Sequence, residues 1–119
     1  RRVGPFDIVA SRYGVLMQGA SELALTKMDV LSYLDQIPVC VAYDVAGEKI
    51  DYFPIGDKLN KAKPVIEYLP GWKCDISGCR TLADLPQKAR NYIDNIEKAM
   101  DCPITYISVG AQREAIIIR

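Results

Sequence analysis

The 119-residue chain reads as an α/β protein, a mixed sheet flanked by helices, and three observations carry that expectation. Short, nearly continuous apolar runs such as "VCVAY" and "ITYIS" have the character of buried strands. Segments of helical period stand between them, the clearest from Leu85 to Met100. The two kinds alternate along the chain, and such alternation favours helices layered on a sheet.

Taken in order, residues 5–20, "PFDIVASRYGVLMQGA", place Phe6, Val9, Tyr13, Leu16 and Met17 at helical spacing. Pro5 suits a first turn and Gly19 a stop. "ELALT" reads as a short buried strand. Val30, Leu31 and Leu34 then suggest a short helix opened by Asp29, as N-cap or first-turn residue. "IPVCVAYDV" is apolar and β-branched enough for a strand, "GEK" offers a turn, and the alternation of "IDYFPI" makes it the antiparallel partner in a hairpin.

The polar, lysine-rich "GDKLNKAKP" is expected to be a solvated loop, with a basic function as the lesser alternative. "VIEYLPGW" suggests one more short strand ending at Pro70-Gly71. Between Leu85 and Met100, Ala89, Tyr92, Ile93, Ile96 and Met100 share one face, with Asp94, Asn95, Glu97 and Lys98 largely opposite. That is a surface helix packed by one stripe. "ITYISVG" follows as a fully buried strand closed by a glycine, and "EAIIIR" as a final strand. No repeat, low-complexity tract or linker divides the chain, so residues 1–119 are expected to form a single domain.

Charge and composition exclude several roles. Fifteen basic residues balance fifteen acidic ones, so no whole-molecule field draws the protein to nucleic acid or an anionic membrane, and any anion must be held locally. No apolar run approaches the roughly 20 residues needed to span a bilayer, and nothing at the start reads as a signal peptide; a cytoplasmic location is the expectation. Cys40, Cys74, Cys79 and Cys102 form no C-x-x-C pair, and there is no histidine to complete a zinc site, so no metal ligand is assigned and the thiols are expected to be reduced. Without histidine, acid–base chemistry near neutral pH cannot use an imidazole of this chain.

The segment with chemistry in it is Thr26-Lys27-Met28-Asp29, at the end of an expected strand. Ligands of open α/β sheets bind at the carboxyl ends of strands, where loops present side chains without disturbing the core. A carboxylate is acceptor-only and receives two parallel N–H donors. Guanine offers that donor pair at N1 and its exocyclic amino group; adenine presents an acceptor at N1. A carboxylate here would therefore select guanine, while Lys27 lays its methylene stem along the base. A second strand end, Ser108-Val109-Gly110, could turn backbone N–H groups toward the guanine O6, with Gly110 allowing close approach.

Each half has a plainer reading: Lys27 and Asp29 as an exposed pair or a helix cap, and S-x-G as a simple turn. No G-x-x-x-x-G-K-[ST] loop is present to cradle phosphates. The chain thus offers a base-binding half without a phosphate-binding half, so either the nucleotide reading is wrong or the chain is a fragment.

The stretches "RRVG" with "FD", "LALTKMDVL", "VCVAYDVAGE", "VIEYLPGW", "LPQKARNYIDNIE" and "CPITYISVG" together resemble adenylosuccinate synthetase, the GTP-dependent ligase family joining IMP and L-aspartate. The similarity runs over essentially all 119 residues, as the last quarter to third of such an enzyme, the C-terminal part of a larger P-loop-GTPase-like α/β protein. It implies that Asp29 binds guanine with Lys27 beside it and Met28 in the same loop, that Ser108, Val109 and Gly110 add guanine contacts, and that Arg1, next to Arg2, contacts GTP.

The family's catalytic aspartate and histidine, its Mg-binding glycine-rich loop and most of its IMP site would lie before residue 1. The resemblance therefore assigns no catalytic residue to this chain. It implies GTP as substrate, Mg2+ as cofactor of the full-length enzyme, IMP and aspartate as the other substrates, a homodimer in purine nucleotide biosynthesis, and no nucleic-acid or membrane partner. The segment alone is expected to be inactive. A stand-alone noncatalytic nucleotide-binding or interaction module is the alternative. Pro5 and Ala111 depart from the family pattern, which has an aromatic residue and a proline there.

Overall fold

The computed structural model describes residues 3–119, so the expectation for Arg1 lies outside the described residues. The described residues build two sheets rather than one, with three α-helices.

Strand β1 (Phe6–Asp7) leads directly into helix α1 (Ile8–Gln18). The helix starts later than its spacing predicts, because Phe6 and Asp7 are held in parallel pairing with Val39 and Cys40. Pro5 therefore precedes a strand and does not open the helix. Asp7 is the N-cap, its Oδ1 accepting from the Ala10 N–H at 2.9 Å, and its other oxygen accepts from the Tyr43 hydroxyl. Gly19 stops the helix in the left-handed region at φ 60. The N–H groups of Gly19 and Ala20 reach the carbonyls of Leu16 and Val15, which satisfies two orphan acceptors.

The face read from the sequence is only partly covered. Val9 is buried, yet Leu16 and Met17 are 70% and 61% exposed. Period alone marks an apolar stripe; what covers it depends on the neighbours, and β3 and α3 take the other side of α1.

Strand β2 (Leu23–Leu25) is followed by a single 3-10 turn, Met28–Leu31, and then by the long strand β3 (Gln36–Val45). Ala46 (φ 52) and Gly47 (φ 89) both take positive φ, which matches the twist of a tight hairpin into β4 (Glu48–Ile50). The lysine-rich stretch is not a loop. It forms helix α2 (Asp57–Lys61), with no buried residue, and the start of β5 (Ala62–Pro70), which runs antiparallel along β3 from Gln36↔Pro70 to Val45↔Ala62. Polarity reported its exposure correctly and its backbone wrongly, since a solvated helix has no apolar stripe to display.

Helix α3 (Gln87–Met100) buries Ala89, Tyr92, Ile93, Ile96 and Met100, the stripe read from the sequence. It returns the chain to β6 (Ile104–Ser108), which pairs parallel with β2 and antiparallel with β7 (Ile116–Ile118). Strand β6 is buried on one face only. Ile104 and Ile107 are buried in the larger core, whereas Tyr106, paired with Ile118, is exposed. A near-continuous apolar run therefore overstated the cover available to it within these residues.

The larger core joins α3, β6 and β7 to Met28, Val39, Trp72 and Ile76; a smaller one gathers Val9, Cys40, Tyr43 and Ile50. All four cysteines carry free thiols, Cys40 and Cys102 buried and Cys74 exposed. A mainly apolar groove of about 280 Å³ runs between α1 and β2, lined by Phe6, Gly14, Leu23, Leu25, Ile96 and Met100 among others. Among the described residues β2 is an edge strand of its sheet, and no helix is long and apolar enough to cross a membrane.

Candidate functional site

Strands β2 and β6 run side by side in the same direction, with Leu25 opposite Ile107. Their carboxyl ends consequently release Thr26 and Ser108 next to each other, and the Met28–Leu31 turn packs against β6. The two motifs, whose first residues are 82 positions apart in sequence, meet at one end of the sheet through this single parallel pairing.

At the first strand end Lys27 adopts φ 61 and ψ 37. A non-glycine residue in the left-handed region costs about 1–2 kcal/mol. The reversal it produces sends the Met28 side chain into the core, 1% exposed, and starts the 3-10 turn in which Asp29 is the second residue.

Asp29 is not a cap. Lys27 holds the N-cap position, and no side chain caps the turn. Nor is there an ion pair between them, since the salt bridges among the described residues are Lys73–Asp35, Arg119–Asp94 and Arg119–Glu97. Instead Oδ1 of Asp29 is buried and has no hydrogen-bond partner. A buried polar atom left without a partner costs on the order of 1–3 kcal/mol, more where it carries charge. Such an atom is uncommon in a folded protein, and the missing donor is ordinarily supplied by water or a bound group.

At the second strand end the Ser108 hydroxyl donates to the Gly110 carbonyl at 3.1 Å, and the Val109 N–H donates to the Ala115 carbonyl at 2.9 Å. Val109 is fully buried. Its amide is thus already used and does not face a ligand, which corrects the expectation that all three residues present N–H groups. The Gly110 N–H takes no partner in the hydrogen bonds of the described residues. Met28 and Val109 shape the site from beneath, and Lys27, Asp29, Ser108 and Gly110 form its surface. No cluster of three or more potential metal-ligating side chains occurs among the described residues.

A site of this build, an acceptor at one strand end and a free amide at its neighbour, coincides with a match along the whole chain. The family model described as adenylosuccinate synthetase matches residues 1–117. The chain belongs to the adenylosuccinate synthetase family. Adenylosuccinate synthetase of Prochlorococcus marinus (strain MIT 9301) is 49% identical over 119 residues, covering 99% of this chain and 27% of that protein. The enzyme of Synechococcus sp. (strain CC9311) is 46% identical, with the same coverage. Among solved structures, the fully ligated adenylosuccinate synthetase from Plasmodium falciparum superposes with a TM-score of 0.89 at 34% identity, covering 96% of this chain and 28% of that one. The α/β fold of mixed sheets and helices is thereby shared with that synthetase. The chain spans about a quarter of the length of the relatives it matches.

Proposed function

We propose that this segment is the guanine-reading part of an adenylosuccinate synthetase. The parent enzyme uses GTP to phosphorylate O6 of IMP, and the amine of L-aspartate then displaces that phosphate, a step of purine nucleotide biosynthesis. The observation that carries the assignment is the buried, unpartnered Oδ1 of Asp29 at a strand end beside Gly110. An acceptor with no donor suits a ligand face that carries only donors, and the N1–H and amino group of guanine are such a face.

In this reading Asp29 accepts from the base and Lys27, whose exposed stem follows the turn, covers its plane. Gly110 offers its N–H to O6. Ser108 and Val109 fix the turn, and Arg1 meets the nucleotide from outside the described residues. Residues 1–119 act as one unit that depends on the rest of the parent. Support for that dependence comes from the open groove beside β2 and the uncovered Leu16 and Met17 on α1. The phosphates, IMP and aspartate are bound by the remaining three-quarters of the enzyme. In this reading the Mg2+ ligands belong to that remainder of the enzyme as well. A cytoplasmic, homodimeric parent belongs to the same proposal and rests on the family alone. The isolated segment is inactive in this reading.

Asp29→Asn in the full-length parent tests the assignment. The substitution replaces an acceptor by a donor facing a guanine donor. Losing a charge-assisted bond worth about 1.5–3 kcal/mol lowers kcat/KM for GTP by at least about tenfold to a hundredfold. Xanthosine triphosphate, with an oxygen in place of the amino group, is hurt less. An unchanged ratio between the two nucleotides means that Asp29 does not read the base.

A further inference from the structure

The turn that presents Asp29 is gripped from behind by a segment far away in sequence. The Ser32 N–H closes the turn on the Asp29 carbonyl at 3.2 Å, and the Ser32 hydroxyl accepts from the indole N–H of Trp72 at 2.9 Å. Both neighbours of Trp72 hold the same stretch. The Gly71 N–H donates to the Asp35 carbonyl at 2.9 Å, and Lys73 Nζ donates to the Tyr33 carbonyl at 3.2 Å while lying 3.4 Å from the Asp35 carboxylate. Gly71 passes so close that a Cβ there would stand 2.1 Å from the Leu34 carbonyl oxygen, so no other residue fits.

Trp72 is itself fixed. It is 7% exposed, packs with Met28 in the larger core and meets the Tyr92 ring edge-on at 5.8 Å between centroids. One indole thus shares the core with the buried residue beside Asp29 and bonds the hydroxyl of Ser32, whose N–H closes the Asp29 turn. It ties both to α3, which buries five of its residues.

We propose that Trp72 is a positioning residue for guanine recognition: through Ser32 it sets where the Asp29 carboxylate stands, and it makes no contact with the nucleotide. The proposal rests on the guanine reading of Asp29. Its physical basis is that a lone 3-10 turn is short and weakly held, so its carboxylate is only as well placed as the contacts behind it. The strained Lys27 at the start of the turn adds to the need for an anchor at its end.

The test uses the full-length parent with Ser32→Ala, Ser32→Thr and Trp72→Phe. Inosine triphosphate, which lacks the guanine amino group, serves as the competitor to GTP. Losing one neutral hydrogen bond behind the site is expected to raise KM for GTP about threefold to tenfold. In Ser32→Ala and Trp72→Phe the KM values for IMP and aspartate stay unchanged, kcat moves little, and the preference for GTP over inosine triphosphate falls. Ser32→Thr keeps a hydroxyl acceptor and restores the preference. In the double variant Ser32→Ala with Asp29→Asn, no further preference is lost beyond that of Asp29→Asn.

A purely structural role lowers the melting temperature of the variants and leaves the GTP constants of the folded enzyme as they were. That result, with Asp29→Asn still shifting the preference, overturns the positioning role and spares the guanine reading. If Asp29→Asn leaves the preference unchanged, the guanine reading fails and this proposal fails with it.

Discussion

A Cβ built on Gly110 stands 2.9 Å from the Cβ of Ala115. Two side-chain carbons do not pack so closely, and neither of these can swing aside. Ala115 is 1% exposed, and its carbonyl holds the Val109 N–H, so displacing it moves the turn at the end of β6. Gly110→Ala in the full-length enzyme is therefore expected to raise KM for GTP severalfold while leaving KM for IMP and aspartate unchanged. Steady-state kinetics with each substrate varied in turn checks this.

The isolated 119-residue chain is expected to form no adenylosuccinate from GTP, IMP and aspartate. Base contacts alone, a few hydrogen bonds of about 1 kcal/mol each, leave GTP binding in the millimolar range. Calorimetry giving submicromolar affinity contradicts this, as does product above background.

Thiol accessibility separates the four cysteines. Cys74 is exposed, Cys79 half-buried, and Cys40 and Cys102 buried. Burial, and next the neighbouring Asp84 carboxylate, push the Cys79 thiol up, which reduces its reactive thiolate. Burial also raises that of Cys40. A disulfide-exchange reagent at neutral pH is expected to modify Cys74 fast and Cys79 slowly, with Cys40 and Cys102 reacting only on unfolding. Peptide mapping of a time course identifies each site. Equal rates at Cys74 and Cys40 contradict the burial pattern.

These outcomes depend on features that were unequally visible in the sequence. The α3 stripe was legible because period is local, and so was a hairpin after β3, although its turn is Ala46-Gly47 and its partner Glu48–Ile50 where "GEK" and "IDYFPI" were expected. So was the pairing of T-K-x-D with S-x-G, once both were placed at strand ends. The split into two sheets was not, nor the bare face of Leu16 and Met17, since both depend on what lies across from a residue and not on its neighbours in sequence. At the site, the sequence named Asp29 and Gly110. It could not show that the Val109 N–H is taken by Ala115 or that Trp72 reaches Ser32, contacts 6 and 40 residues apart that no spacing rule encodes.

Alkaline pH probes the wall on which Trp72 rests. Tyr92 is 3% exposed, and burial pushes its hydroxyl from an ordinary value of 10.0 up to about 12. Below pH 10 the hydroxyl is protonated in both states, and its ionisation does not affect stability. Between pH 10 and 12 the unfolded chain releases the proton while the folded chain keeps it, so stability falls as pH rises. A pKa raised that far corresponds to about 3 kcal/mol lost by the upper end of the window. Tyr43, held up by burial and by its bond to the Asp7 carboxylate, loses stability in the same direction. Tyr92→Phe isolates the first contribution. It keeps the ring against Trp72, removes a hydroxyl that has no hydrogen-bond partner among the described residues, and is expected to be within about 1 kcal/mol of the parent at pH 7. Above pH 10 the variant should hold its denaturation midpoint better than the parent enzyme. Urea melts at pH 7 and pH 11 measure the difference, and an equal decline in both proteins means that the Tyr92 hydroxyl is not shielded as the structure has it.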